Sequence, residues 1–230
     1  DPDFVPAPIP PSPTSSAVVN ISSFNGDPGG VTLNVTGSIT TTGTTDSNGS
    51  ATIQGITPCG SVTITPSKPN YIFSPASQTV NNPTTSTPVN FTATLKTIGF
   101  PFASVGVSEV NGRVGITVTR NSTSDPATVS FETSPGTASD RSDFNSTFGT
   151  LQFAAGESTK SILVLVTDDV LVEGSEQFTV TLKNPTGAEL STSTLTITIS
   201  DNDSQANAPN PLSNPGFFVR QHYQDFLNRA

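Results

Sequence analysis

The stretch Arg113-Val-Gly-Ile-Thr-Val-Thr-Arg120 decides the fold class of the second half of this chain, because its apolar residues occupy every second position. The same period of two recurs in Gln177–Lys183 and in Thr194–Ser200. Alternation of this kind places every second side chain on one face of a β-strand. We therefore predict half-buried strands at all three places.

Four further segments complete a set of seven short strands in this half. They are a first strand near Phe102–Val107, then Ala127–Thr133, Thr150–Phe153 and Lys160–Thr167. Short strands divided by turn residues are typical of an immunoglobulin-like β-sandwich. Because Ile162–Val166 is apolar on both faces, we place that strand in the centre of its sheet.

The first half of the chain, residues 17–96, shows the same alternation in shorter runs. These runs are Val31–Val35, Ala51–Ile53, Val62–Thr65 and Val89–Leu95. Asn-Gly, Gly-Gly and proline-bearing turns separate them, and no helical period is present. This half therefore predicts a second, smaller β-sandwich, so the fold class is all-β with two tandem antiparallel sandwiches.

The two ends of the chain differ from both sandwiches. Residues 1–16 read DPDFVPAPIPPSPTSS, and so many prolines predict an extended arm. Residues 204–230 begin as a polar, proline-bearing linker and continue as Phe217–Arg229, whose apolar residues recur at helical spacing. We expect a short amphipathic helix there, which must pack on another surface to be stable.

The distribution of charge favours cations as ligands. The 230 residues carry 18 Asp and Glu against 9 Lys and Arg, a net charge of -9. Thirteen of the 18 acids lie between Phe102 and Asp203, where only five Lys or Arg occur. Like charges repel nucleic acids and anionic lipid surfaces, so we predict no nucleic-acid partner. No run of 18 apolar residues is present, and we predict no membrane span.

The acids of the second half fall into four groups, each at a predicted strand end. The groups lie in residues 107–109, 136–144, 168–176 and 201–203. In a Greek-key sandwich such ends can meet at one pole. Carboxylate oxygens without nearby His or Cys suit calcium, which takes six to eight oxygen ligands, better than zinc. The alternative is that these acids are solvated loop residues that accept backbone hydrogen bonds.

The acidic groups occur together with two further motifs, Phe153-Ala-Ala-Gly-Glu157 and Leu182-Lys-Asn-Pro-Thr-Gly187. The combined pattern resembles the Calx-beta domain over nearly all of residues 102–203. The resemblance implies bound calcium. It implies these ligands: Glu109, Asp143, Asp168, Asp169, Glu173, Glu176, Asp201 and Asp203. Asn202 replaces the central acid of the last triplet, and Val110-Asn111 replaces the usual Gly-Asp, so we expect one or two calcium ions.

The first sandwich also carries a family resemblance. Asp46–Ile56 followed by Val62–Pro75 resembles a carboxypeptidase-regulatory-like domain over residues 39–95. Such domains are transthyretin-like sandwiches of bacterial multidomain surface proteins. The resemblance implies a non-catalytic spacer or binding module.

The chain lacks a convincing catalytic group. Its single His, His222, lies on the partial helix outside both sandwiches. Cys59 has no His in its domain to activate it, and we expect a small buried residue in a turn. A single cysteine also excludes an internal disulfide. We predict that the protein is not an enzyme and has no catalytic residues.

These features predict a non-enzymatic extracellular module, structural or adhesive, that serves as a calcium-stabilised building block of a bacterial surface or secreted fibre. The expected partners are other copies of the chain, with the proline-rich arm or the helix docking on the next copy by strand addition. Two alternatives stay open. One is a module that binds a glycan or a surface protein, and the other is an accessory region of a larger secreted enzyme.

Overall fold

The computed structural model of the protein describes residues 15–83 and 87–203. Regular structure in this part is almost entirely β-strand, and the chain divides into two units between Lys96 and Thr97. Residues 1–14 of the predicted arm lie outside the described residues, as do the predicted linker and partial helix at 204–230. Ser15 and Ser16 belong to the first strand.

The first unit contains eight strands in two four-stranded sheets. The sheet orders are β4-β1-β8-β6 and β3-β2-β5-β7. All pairs are antiparallel except β1 with β8. The strands are β1 (Ser15–Asn25), β2 (Thr32–Gly37), β3 (Thr41–Thr44), β4 (Ser50–Ile56), β5 (Ser61–Ser67), β6 (Tyr71–Ser74), β7 (Gln78–Asn81) and β8 (Thr87–Leu95).

Strand β1 was not among the predicted strands, although the sequence carries a signal for it. Ala17, Val19 and Ile21 alternate along β1 and are buried in the core of the first unit. They pack with residues of both sheets, including Leu33 of β2 and Phe91 of β8. The alternation of apolar residues therefore begins almost at the first described residue. The prolines just before it in the sequence favour an extended arm over a strand and so hide this signal.

The described part of the second unit, residues 97–203, contains nine strands in a five-stranded and a four-stranded sheet. Their orders are β10-β17-β15-β12-β13 and β14-β11-β9-β16. The strands are β9 (Thr97–Gly99), β10 (Ser104–Ser108), β11 (Arg113–Arg120), β12 (Ala127–Pro135), β13 (Phe148–Phe153), β14 (Thr159–Leu165), β15 (Glu176–Thr186), β16 (Glu189–Leu190) and β17 (Thr194–Ser200). One 3-10 turn, Glu109–Asn111, joins β10 to β11. The predicted all-β sandwich architecture is confirmed.

The core of the second unit is built from the alternating residues that the sequence singled out. Val118 of β11, Phe178 of β15 and Ile197 of β17 are fully buried. Thr and Ser fill many of the outward positions, where a β-branched threonine suits the exposed face of a strand. Burial of one face and solvation of the other fixes the register, because a slip by one residue would expose the whole apolar set.

The buried side chain of Arg120 holds two loops of the second unit in place. Arg120 is only 8% exposed, and its guanidinium group lies 5.3 Å from the ring centroid of Phe153. It donates to three backbone carbonyl oxygens, those of Glu157 (2.6 Å), Asp125 (2.5 Å) and Ala154 (2.7 Å). These bonds satisfy the buried cation and tie two loops to β11.

The prediction that Ile162–Val166 forms a central strand is wrong. In the described part of the chain β14 pairs only with β11 and lies at the edge of its sheet. Ile162 and Val164 face the core, whereas Leu163 and Leu165 point outward and are 55% and 48% exposed. An apolar run on both faces predicts burial on both faces, but within residues 15–83 and 87–203 the outer face of β14 is exposed.

The prediction that Cys59 is buried is also wrong. Cys59 is exposed and has a φ of 59°, in the left-handed region that tight turns require. Its N–H donates to the side-chain oxygen of Asn82 at 3.2 Å. The turn geometry, rather than a need for apolar packing, accounts for its position.

Candidate metal centre

Strand directions in the five-stranded sheet bring three groups of acids together. Strand β10 runs parallel to β17, so the residues that follow them, Glu109 after β10 and Asp201 and Asp203 after β17, emerge at the same end. Strand β15 runs antiparallel to β17 and begins at this end, where Glu176 pairs with Ile199. The sheet alone therefore gathers four of the predicted ligands.

The other sheet adds a further loop to the same end. Strand β14 ends where Leu165 pairs with Arg113, directly after the 3-10 turn that contains Glu109. Asp168 and Asp169 follow β14, and their loop runs on to β15. The loop between β12 and β13 joins them, since the N–H of Thr167 donates to the carbonyl of Asp143 at 2.9 Å. All eight predicted ligands thus lie at one end of the second unit, which we call the acidic pole.

The first acid triad of the pole consists of Glu109, Asp201 and Asp203, which offer oxygen atoms within 4.8 Å of one another. Glu109 is only 7% exposed and accepts a hydrogen bond from the backbone N–H of Asn202 at 3.1 Å. The N–H of Asp203 donates to Asp201 Oδ1 at 2.6 Å. The second oxygen of Asp203, Oδ2, is buried and has no hydrogen-bond partner within the described residues.

The second acid triad consists of Asp143, Glu173 and Glu176, again with oxygen atoms within 4.8 Å of one another. Asp143 Oδ2 accepts a hydrogen bond from the N–H of Ser139 at 2.5 Å, which closes a turn around the carboxylate. The next residue, Phe144, is fully buried and stacks on Phe178 with ring centroids 4.1 Å apart. This stack anchors the Asp143 loop to the core.

Backbone hydrogen bonds join the two triads. Asp201 Oδ2 accepts from the N–H groups of Glu173 at 2.7 Å and Gly174 at 2.9 Å. A carboxylate of the first triad therefore holds the loop that carries Glu173 of the second. Gly174 has a φ of +83°, which a glycine adopts without strain.

Asp168 and Asp169 lie beside the triads rather than within them. The side-chain amide of Asn202 donates to Asp168 Oδ1 at 3.3 Å, and the N–H of Leu171 donates to Asp169 Oδ1 at 2.7 Å. Asp169 is close enough to Glu109, Glu173 and Asp203 for its charge to raise the pKa of all three carboxyls. Asp169 therefore acts electrostatically on both triads.

Most of the resolved pKa shifts at the pole oppose ionisation. Partial burial, together with a hydrogen bond to Asp143 and the charges of Asp143, Glu173 and Glu109, raises the pKa of Glu176 from 4.5 to about 7. Partial burial is also the main cause that raises the pKa of Glu109, of Glu173 and of Asp203, and neighbouring carboxylates add to it.

Asp201 behaves in the opposite way. Backbone N–H groups of Gly174, Asp203 and Glu173 lower the pKa of the Asp201 carboxyl. These hydrogen bonds therefore favour the ionised form of Asp201, and they fix the backbone of Glu173, Gly174 and Asp203 around its carboxylate.

Within residues 97–203, no salt bridge joins an acid of the pole to a cationic side chain. The salt bridges seen there join Lys160 to Glu157, Lys183 to Glu132 and Arg141 to Asp140, outside the eight acids. Closely spaced carboxylates repel one another unless a cation neutralises them. Oxygen-only ligands at two adjacent sites suit a hard divalent cation, and calcium prefers such sets.

The similarity of the second unit to known proteins agrees with this geometry. Residues 93–203 match the Calx-beta domain. The Calx-beta match includes all eight acids of the pole and begins within β8. The chain is 40% identical over 99 residues to the extracellular matrix organizing protein FRAS1 of Mus musculus, a segment that makes up 40% of this chain and 2% of that protein.

Two crystal structures of Calx domains are similar to the same region. The apo form of the Calx CBD1 domain is 32% identical with a TM-score of 0.46, over 47% of this chain and 98% of that chain. The calcium binding domain CBD12 of CALX1.1 is 33% identical with a TM-score of 0.45, over 46% of this chain and 44% of that chain.

Two residues at the pole have roles that sequence reasoning missed. The sequence indicates Asn202 as a neutral replacement for an acid that still offers an oxygen, whereas in the structure it donates through its backbone to Glu109 and through its amide to Asp168. Gly174 supplies a backbone N–H to Asp201. The only sequence signal for Gly174 is its position directly after Glu173 in the acidic group 168–176. That position does not identify Asp201 as the acceptor of its N–H.

Proposed function

We propose that the second unit binds calcium at the acidic pole, and that the chain is a non-enzymatic, calcium-stabilised extracellular structural module. The observation that carries this proposal is the presence of two acid triads side by side, with carboxylates whose ionisation the calcium-free fold opposes. Calcium would supply the positive charge that the triads lack and so favour the ionised form of every ligand.

Two ions fit the arrangement better than one. The first ion would bind Glu109, Asp201 and Asp203, where the partnerless Oδ2 of Asp203 already offers an acceptor. The second would bind Asp143, Glu173 and Glu176. Asp168 and Asp169 would complete the oxygen sets from their adjoining loop. Calcium needs six to eight oxygens, so backbone carbonyls or water would fill the remaining positions.

The role of the ions would be structural. The ligands come from four separate segments, so bound calcium ties together parts of the chain that are far apart in sequence. A ligand that binds only the folded state stabilises that state by mass action. Extracellular modules bind calcium at about 10⁻⁴–10⁻³ M, the range in which such stabilisation persists outside cells.

The wider setting that we propose is a bacterial surface or secreted fibre in which this chain is a building block. The similarity to an extracellular matrix organizing protein supports an extracellular location. The two-sheet first unit supports a spacer, and we retain the carboxypeptidase-regulatory-like assignment for it as a hypothesis. No helix within residues 15–83 and 87–203 is long and apolar enough to cross a membrane.

Calorimetric titration and thermal unfolding test the calcium site directly. Wild-type protein stripped with a chelator should bind about two calcium ions and show a higher melting temperature in millimolar calcium. The double variant Asp168→Asn, Asp169→Asn should lose most of this rise, because it removes two charges from the pole. Magnesium, which demands a small octahedral site, should produce a smaller rise.

The matched control is Glu132→Gln, which removes one acid of the same unit that pairs with Lys183 on the sheet surface. The control should keep the full calcium effect. An unchanged calcium effect in the double variant, or an equal loss in the control, would contradict the site.

A further inference from the structure

An unpaired strand edge in the second unit lies on the opposite side of β11 from β14. Strand β11 pairs with β14 from Arg113 to Thr119, but with β9 only at Thr119 and Arg120. The N–H of Asn121 donates to the carbonyl of Thr97, so alternate residues towards the start of β11 direct their backbone groups to the same side. Among the described residues no strand pairs with Gly115 or Thr117 on that side.

The edge is open because the chain changes sheets immediately after β9. The N–H of Phe100 donates to the carbonyl of Thr192, away from β11, and β10 then joins β17 in the other sheet. Within the described part of the chain β10 pairs only with β17, so it is an edge strand as well. Two strand edges, one from each sheet, therefore flank the same gap.

The gap is an apolar groove of about 380 Å³. Its lining includes Phe100, Phe102, Val105, Gly115, Thr117 and Leu195. Phe102 is 70% exposed and Val105 36% exposed, although both are large apolar side chains. Ile116 and Leu195, which are buried, also line the groove, so it reaches from the open edge to the core.

An open strand edge beside an apolar groove is the arrangement that binds an extended peptide by strand addition. The backbone of the added strand pairs with the edge, and alternate side chains enter the groove. An exposed apolar edge is also a liability that proteins usually cover. The groove therefore suits a short extended segment with apolar side chains at every second position.

The chain contains such a segment in Val5-Pro-Ala-Pro-Ile9. In an extended strand, residues two apart direct their N–H groups to the same side. In a strand added parallel to β11, Val5, Ala7 and Ile9 would direct their N–H groups to the open edge and their side chains to the same face as Ile116, while the two prolines, which lack an N–H, would lie on the other side. Prolines on the outer side are the pattern that an edge strand tolerates.

We propose that residues 5–9 of a second copy of the chain add as a parallel strand to the open edge of β11, with apolar side chains in the groove bounded by Phe102 and Leu195. The prolines would prevent a further strand from pairing on the outer side. Each copy carries the donor segment before its first unit and the acceptor in its second unit, so the contact repeats from copy to copy. Heterologous contacts that do not close into a ring build filaments.

This inference rests on the proposed role of the chain as a building block, but not on calcium binding. Sedimentation velocity of the full chain over a range of concentrations, in millimolar calcium, provides the test. The wild-type protein should form open-ended species that grow with concentration. Ala7→Pro removes the central N–H of the donor and should lower the association constant at least about tenfold.

Two variants complete the design. Pro8→Ala changes the neighbouring residue on the outer side and should associate like wild type. Val105→Glu places a charge on the wall of the groove at a partly exposed position and should also abolish growth. A mixture of the Ala7→Pro and Val105→Glu variants has one intact acceptor and one intact donor, so it should form 1:1 dimers and nothing larger.

Wild-type protein that stays monomeric would overturn the proposal, and so would equal assembly by the Ala7→Pro variant. A monomer in which Ala7→Pro alters the amide signals of Gly115 would mean that the arm binds within its own chain, which also contradicts exchange between copies. The calcium-induced rise in melting temperature, measured on the same samples, reports on the metal site separately.

Discussion

Replacing Glu176 with Gln should stabilise the calcium-free protein and weaken the calcium-bound one. Burial and neighbouring carboxylates raise the pKa of Glu176 from 4.5 to about 7 in the folded state. The folded state therefore binds more protons than the unfolded state between these two values. Its stability falls as pH rises through that window and is constant above it.

The magnitude follows from the shift. A difference of one pKa unit corresponds to about 1.36 kcal/mol, so a rise from 4.5 to about 7 sets an upper bound of about 3 kcal/mol. Part of the shift belongs to the interaction with Asp143, which also changes when Glu176 is replaced. We expect Glu176→Gln to gain about 1–3 kcal/mol at pH 8 without calcium, and almost nothing at pH 4.5.

Urea unfolding in a chelator at several pH values between 4.5 and 8 measures this gain. The same series in millimolar calcium tests whether the variant is then less stable than the wild-type protein. The wild-type protein should lose stability with rising pH only in the chelator, since calcium binds the ionised carboxylate. The Glu132→Gln variant, which removes an acid on the sheet surface, should follow the wild-type curve. A Glu176→Gln variant that is no more stable than wild type at pH 8 without calcium would refute the electrostatic account.

Two further predictions concern residues that support the pole and the sandwich. Arg120→Met leaves the carbonyls of three loop residues without their donor, so the free energy of unfolding measured in urea should fall by about 2–5 kcal/mol. A fall below about 0.5 kcal/mol would mean that the guanidinium group does not hold the loops in place. Phe144→Ala removes a fully buried ring that stacks on Phe178, so stability should fall by about 3–5 kcal/mol and titration should show weaker calcium binding. Phe144→Leu, which keeps most of the apolar volume, should retain more of both, and calcium binding that is unchanged in Phe144→Ala would contradict the anchoring of Asp143.

Strict alternation made some strands predictable to the residue. Arg113–Arg120 and Thr194–Ser200 have the same bounds in the sequence prediction and in the structure. Both carry an unbroken period of two between clear turn signals, so local pattern and tertiary burial agree. The short strands β9 and β16 were missed because two or three residues carry no period.

Edge and centre could not be told apart from the pattern. The run Ile162–Val166 is apolar on both faces, yet β14 is an edge strand whose Leu163 and Leu165 face outward. Which strands neighbour one another depends on how distant segments pair, and that information is not local. The open edge of β11 was invisible for the same reason, since it arises where the chain changes sheets between β9 and β10.

By itself the sequence determined the all-β class, the position of most strands, the acidic character of the second half and the oxygen-only chemistry of its loops, because each depends on residue type and short spacing. Only the tertiary structure decided that the acids divide into two triads joined through Asp201, and that Glu176 has a pKa near neutrality. These properties depend on distances of a few ångströms between residues such as Glu109 and Asp201, which are far apart along the chain. Such distances are set when the strands pair, and electrostatic energies depend on them directly.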